Sequence, residues 1–301
     1  MGSHPAISIQ GIRKRYGSVD ALNGITLEVA DGSLFGLIGP DGAGKTSLIR
    51  ILTSLILPDE GGATVLGLDV VRDYKELRKR YGYMPGRFSL YQDLTITENI
   101  EFFGTVFGSD MTQAYELIRD IYVQIEPFKD RRAGALSGGM KQKLALCCAL
   151  IHQPDILFLD EPTTGVDAVS RREFWDMLDR YKAMGLTMFV STPYMDEASR
   201  CDQVAFLKSG SILAVDSPQA MSSRFRKALW SFRCANRYDL LEALDRIDGI
   251  HSAWPFGETV HVALNDGVHM DDIRVSLRDV ADLAIESIEP GIEDVFMELS
   301  R

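Results

Sequence analysis

Leu34 to Leu52 reads "LFGLIGPDGAGKTSLIRIL". Apolar residues fill Leu34–Ile38, glycines and a proline fill the middle, and helical apolar spacing follows Lys45. This is a strand, a loop and a helix. Gly39, Gly44, Lys45 and Thr46 fit the spacing G-x-x-x-x-G-K-[ST]. Gly39, Gly42 and Gly44 let the backbone curl until its N–H groups face inward at phosphate oxygens. The helix N-terminus adds partial positive charge. Lys45 is expected to reach the β- and γ-phosphates of a nucleotide, and the Thr46 hydroxyl to ligate Mg²⁺. Pro40, Asp41, Ala43 and Ser47 complete the candidate ATP-binding loop. Asp41 is an acid inside an anion cradle, so it is expected to face the rim or a partner surface.

A second stretch, "PDILFLDEPTTGVD", carries an apolar run from Ile156 to Leu159 that ends in Asp160 and Glu161. Continuous apolarity suits a parallel strand buried on both faces. Beside a phosphate loop, Asp160 is expected to bind Mg²⁺ directly or through water. Glu161 is then the candidate catalytic acid, placed to polarise an attacking water.

Strand-like runs "AISIQGI", "ITLEV", "LFGLIG", "DILFLD" and "TMFVST" alternate with helical patterns, as after Lys45 and from Ser170 to Met184. That order predicts an α/β fold with a mostly parallel sheet. Between Thr97 and Ile151 only helices are read, so a helical subdomain of about 87–154 is expected inside a sheet domain of 6–222. "QVAFLKSGSILAVDSP" reads as a hairpin around Ser209-Gly210. From 223 to 301 strands and helices follow in the order strand, helix, two strands, helix, strand, helix, a small α+β accessory domain. "MGSH" before Pro5 reads as an expression scar, assigned to residues 1–5.

Hydrophobic residues make up 46% of the 301, enough for a full core. A net charge of -11 argues against nucleic acid as the main partner. Cys147, Cys148, Cys201 and Cys234 show no metal-ligand spacing and read as free thiols of a reducing compartment. No apolar run approaches the ~18–20 residues of a membrane span. Trp254, Phe256 and His261 read as core or surface residues of the accessory domain, which carries no catalytic constellation.

The stretch "LSGGMKQKLAL", Leu136 to Leu146, resembles the signature motif of ABC transporter ATPases. Together with the phosphate loop and "ILFLDEPTTGVD", the resemblance covers essentially the whole chain. It extends to the ATP-binding subunits of drug- and polysaccharide-exporter-like systems, whose ending "EPGIEDVFMELS" resembles. It implies a P-loop NTPase (RecA-like) core with an antiparallel β subdomain, and ATP and Mg²⁺ as cofactors. It also implies two nucleotide domains closing head to tail around two ATPs, beside a transmembrane permease subunit at the cytoplasmic face of the membrane. Ser137, Gly138 and Gly139 would then bind the γ-phosphate held by the partner. Tyr16, in "KRYGSVDAL", matches the adenine-stacking aromatic, and Asp167 the acid of the loop that crosses the dimer interface.

Two positions depart from that pattern. In "YGYMPGRFSLYQDLT", Gly86 stands where a lever glutamine is expected. In "FVSTPYMDE", Pro193 stands where a histidine would touch the γ-phosphate, and it is read as starting a helix. Losing one such group typically costs about 10²–10⁴ in rate. The expectation is an ABC transporter subunit that contributes a weak ATP site to an asymmetric pair, as a heterodimer or one half of a tandem protein, and hydrolyses ATP slowly alone. The alternatives are a degenerate module binding ATP for structural or regulatory ends, or a soluble ABC ATPase outside transport.

Overall fold

The computed structural model describes residues 5–278 and 280–300. Residues 1–4 of the segment read as a scar lie outside the described residues. The chain divides into two compact units, 1–217 and 218–301, the second beginning ahead of the expected 223.

The first unit opens with a long antiparallel pair, β1 (Ile7–Tyr16) and β2 (Val19–Val29). Ile7 and Ile9 of β1 and Leu27 and Val29 of β2 are buried at alternating positions, which gives the pair one core-facing side. Next come β3 (Leu34–Ile38), buried throughout, and α1 (Lys45–Leu52). They are followed by β4 (Glu60–Val65), β5 (Leu68–Asp69), α2 (Tyr74–Arg80) and β6 (Tyr81–Met84). Three longer helices follow, α3 (Ile96–Phe107), α4 (Met111–Ile125) and α5 (Gly138–Leu150). A capping box between Thr95 and Glu98 starts α3, and the Asp110 side chain caps α4. The unit closes with β7 (Ile156–Asp160), α6 (Ala168–Ala183), β8 (Thr187–Thr192), α7 (Met195–Ala198), β9 (Gln203–Lys208) and β10 (Ser211–Asp216).

These strands form two sheets. One is antiparallel, in the order β2-β1-β4-β5; the other runs β10-β9-β3-β8-β7-β6 and is parallel except for the β9–β10 hairpin. Phe35, Leu37, Leu48, Ile51, Phe158 and Phe189 share one buried cluster with Ile7, Ile25 and Val65, so both sheets rest on a common core around α1. This is the P-loop core with antiparallel subdomain and helical region that the resemblance implies. Pro193 does not start a helix. Tyr194 precedes the first turn of α7, and its N–H is held by the Thr192 hydroxyl at 3.0 Å. The chain therefore turns on a Thr–backbone bond before it coils.

The second unit contains α8 (Pro218–Ser222), β11 (Leu229–Arg233), α9 (Arg237–Asp245), β12 (Ile250–Phe256), β13 (Thr259–Leu264), α10 (Met270–Ser276), β14 (Ala284–Ile288) and α11 (Ile292–Leu299). Its sheet, in the order β12-β13-β11-β14, is antiparallel, the split β-α-β arrangement. Leu240 and Leu244 of α9 and Ile273 of α10 cover Val260 and Val262 on one face. On the other, Trp254 and Ala263 pack with Met297 of α11. His261 is buried there, its Nδ1 2.7 Å from Asp294 Oδ1 and its ring stacked on Phe256. Among the described residues no helix is long and apolar enough to cross a membrane. Cys147, Cys148 and Cys201 are buried free thiols, and Cys234 is half-buried.

Candidate functional site

Because β3, β6, β7 and β8 run parallel, the turns that follow them open on one edge of the sheet. That carboxyl edge is where α/β sheets bind ligands. The turns are the phosphate loop after β3, Gly86 after β6, Glu161 after β7 and Pro193 after β8.

The loop after β3 folds as its glycines require. Gly44 lies at φ 111°, and an ideal Cβ there would fall 2.4 Å from the Ala21 carbonyl oxygen, so a side chain could enter only by displacing backbone. Asp41 and Gly42 are exposed at the tip. Ala43 is buried and Ser47 half-buried. Lys45 is 3% exposed; its Nζ donates to Gly39 O at 2.8 Å and Pro40 O at 3.0 Å, and lies 3.0 Å from Glu161 Oε1. The ammonium is thus held at the loop's centre and shared with the acid that follows β7, one strand beyond β8 in the sheet.

Asp160 is buried, and its Oδ1 accepts hydrogen bonds from Ser191 Oγ at 2.7 Å and Thr46 Oγ1 at 3.2 Å. Burial pushes its carboxyl above the ordinary Asp range, the two hydroxyls pull it back, and the charge of Glu161 pushes it up again. Glu161 follows in the left-handed region at φ 50°, an uncommon conformation for a side-chain-bearing residue. Two bonds fix it: its N–H donates to Ser191 O and to Ser191 Oγ, both at 3.0 Å. That turn brings the carboxylate back over Lys45.

Gly86 abuts these acids. An ideal Cβ would lie 2.9 Å from Asp160 O and 3.8 Å from Glu161 Cβ, so the turn leaves no space for a side chain without moving. Pro193 is half-buried at the end of β8, and the carbonyl of its neighbour Thr192 accepts the Gly39 N–H at 3.4 Å. The Pro193 turn is therefore tied to the start of the phosphate loop.

The signature residues gather elsewhere. Ser137 caps α5, its Oγ accepting the Met140 N–H at 3.3 Å. Gly138 and Gly139 form the first turn, and an ideal Cβ on Gly139 would meet Ser170 Oγ at 2.6 Å. Asp167 caps α6 by accepting from Val169 N at 3.1 Å and Ser170 N at 3.0 Å, and the Ser170 bond foremost holds its carboxyl below the usual range. Signature and Asp167 loop thus form a second cluster whose contacts run to one another. Tyr16 stands 46% exposed at the end of β1, with the Lys14 ammonium 5.7 Å from its ring centroid.

Sequence reasoning missed Ser191, Thr163, Thr192 and Glu197. Ser191 faces Asp160 across paired strands. A serine inside the otherwise apolar "MFVS" was the one available signal. Thr163 donates to Glu197 Oε1 at 2.6 Å and Thr192 to Glu197 Oε2 at 2.5 Å, contacts no local pattern announces.

The family profile described as ABC transporter matches residues 22–164. The probable multidrug ABC transporter ATP-binding protein YbhF of Escherichia coli (strain K12) is 36% identical over 300 residues, 97% of this chain and 52% of that protein. The chain thus spans about half the length of that relative. Nod factor export ATP-binding protein I of Rhizobium sp. (strain N33) is 35% identical over 302 residues, 99% of this chain and 98% of that protein. Among solved structures, the dimeric post-hydrolysis state of the ATP-binding cassette MJ0796 bound to ADP and Pi matches with a TM-score of 0.63 at 24% identity, over 70% of this chain and 98% of that one.

Proposed function

The chain belongs to the ABC transporter ATP-binding proteins, and from that premise we propose that it is the ATP-binding subunit of an exporter that works with a separate membrane permease. The observation that carries the proposal is the meeting of the caged Lys45 with Glu161 and of Thr46 with Asp160 on one sheet edge. Export follows the relatives, whose names speak of Nod factor export and multidrug transport.

In this reading N–H groups of the loop between Asp41 and Ser47 bind the phosphates of ATP, and Tyr16 supports the adenine. Lys45 exchanges Glu161 for phosphate oxygens, which frees the carboxylate to orient a water. The donor set suits Mg²⁺. Among the described residues no three His, Cys, Asp or Glu side chains form a protein-only metal site. A Thr46 hydroxyl beside a buried Asp160 carboxylate is the hard-oxygen pair that Mg²⁺ uses when phosphates and water fill its other positions. Bound there, Mg²⁺ would neutralise charge on the phosphate oxygens. Ser137, Gly138 and Gly139 serve the ATP of a second nucleotide domain, approached across the Asp167 loop.

The site is uneven. Gly86 offers no side chain, and Pro193 no donor, to the γ-phosphate. Hydrolysis at this chain's own phosphate loop is therefore slow, and the chain pairs with a different nucleotide domain whose phosphate loop uses this chain's intact signature. The test is ATPase activity of the chain with and without a candidate partner domain. Activation that survives Lys45→Ala here but not Ser137→Ala supports the asymmetric pair. Fast turnover by the isolated chain, lost in Glu161→Gln, overturns it.

A further inference from the structure

Glu197 is a buried acid outside the motifs above. It lies in α7, 3% exposed, and accepts from Thr163 Oγ1 at 2.6 Å and Thr192 Oγ1 at 2.5 Å. Thr163 follows Glu161 in the turn after β7, and Thr192 ends β8 just before Pro193. One carboxylate thus spans the two turns that flank the expected γ-phosphate position. A third element reaches it: Arg171 of α6 places Nε 3.9 Å from Glu197 Oε1, binds Asp196 at 2.9 Å and lays its guanidinium over the Tyr194 ring. The start of α6 is the segment that Asp167 caps and that packs on Gly139.

Burying a carboxylate is costly even when hydrogen-bonded, and an apolar residue would anchor a short helix more cheaply. What an apolar residue lacks is two acceptors a fixed distance apart. We propose that Glu197 is a positioning residue for ATP hydrolysis, its two oxygens fixing the Glu161 turn against the Thr192–Pro193 turn. The proposal rests on the reading of Glu161 as the acid that orients water. The Glu197 carboxylate bonds to Thr163, Thr192 and Arg171 rather than to the phosphate loop, so it separates turnover from nucleotide affinity. A displacement of the reacting groups by about 1 Å is enough to slow chemistry by up to about 10²-fold.

The experiment measures single-turnover cleavage of Mg-ATP by the full chain alongside the dissociation constant of a fluorescent ATP analogue. Thr163→Val, Thr192→Val and Glu197→Gln are each expected to slow cleavage about 10-fold or more, with affinity within about twofold. Thr192→Ser restores the rate because it keeps the hydroxyl. Adding Thr163→Val to Glu197→Ala slows cleavage little further, since both remove one network. Unchanged cleavage, or affinity weakening in step with rate, overturns the proposal. If Glu197→Ala does not fold, the threonine variants and the serine rescue decide. Hydrogen exchange gives a readout independent of turnover. In Glu197→Gln, residues 161–166 and 192–194 should both exchange faster, whereas faster exchange confined to α7 means an ordinary structural anchor and overturns it. Glu161→Gln tests the underlying reading separately: cleavage unchanged there rejects the acid, whatever the Glu197 variants do.

Discussion

Ser191→Ala removes one oxygen from a fully buried site, and the structure says what that oxygen does. It donates to Asp160 Oδ1 at 2.7 Å and accepts the Glu161 N–H at 3.0 Å. The Glu161 N–H keeps Ser191 O at 3.0 Å, so no backbone donor is orphaned. Asp160 keeps only the longer bond from Thr46 at 3.2 Å. The loss is therefore one hydrogen bond to a buried carboxylate, about 1.5–3 kcal/mol. For a unit of this size that lowers Tm by roughly 3–12 °C. Calorimetry of both single variants and of Ser191→Ala in an Asp160→Asn background checks the origin. With a neutral partner the cost of Ser191→Ala should fall below about 1.5 kcal/mol. A Tm unchanged by Ser191→Ala, or an equal loss in both backgrounds, refutes the assignment of Ser191 as the donor that holds Asp160.

Asp160 also predicts a pH dependence. Its folded pKa lies above the ordinary 3.8, so the folded state keeps the proton longer than the unfolded state. Stability therefore falls as pH rises from 3.8 through the raised folded value, and in chelator Asp160→Asn should flatten that decline; parallel Tm–pH curves for the two proteins would contradict it. Gly44→Ala needs an L-residue at φ 111° and a Cβ 2.4 Å from Ala21 O, so ATP binding measured by titration should weaken at least about tenfold. Pro193→His should raise turnover by about tenfold or more, while Gly86→Gln alone should not, because its Cβ would meet Asp160 O at 2.9 Å and push the turn away. Steady-state ATPase assays of the two variants, in the presence of a partner domain, decide between these outcomes.

The phosphate loop and the acidic strand end were legible because each is a local pattern. The glycines and lysine of the one, and the apolar run and carboxylates of the other, each fall within a short stretch of sequence, although the two stretches meet only in the fold. β4 and β6 were not read, since Glu60-Gly61-Gly62 and Tyr81-Gly82 weaken a strand pattern and gain their pairing from distant partners. Pro193 was read as a helix start because local propensity favours it; the Thr192 hydroxyl, placed by the sheet, sets the turn instead. Ser191 and Glu197 depend wholly on register and packing. Ser191 meets Asp160 only because β7 and β8 pair with Asp160 opposite Ser191.

That sheet order also sets when the site can exist. The phosphate loop is synthesised early, at residues 39–46, yet β3 is flanked by β8 and β9, which end at Thr192 and Lys208. A growing chain carries its loop from Thr46 to Thr187 before either neighbouring strand begins to emerge and fix it. Such long-range pairings form slowly and leave apolar strands uncovered meanwhile. Nucleotide capture by a nascent or truncated chain therefore reports that Gln203–Lys208 has docked, making ATP a ligand of the finished sheet rather than of the loop that touches it.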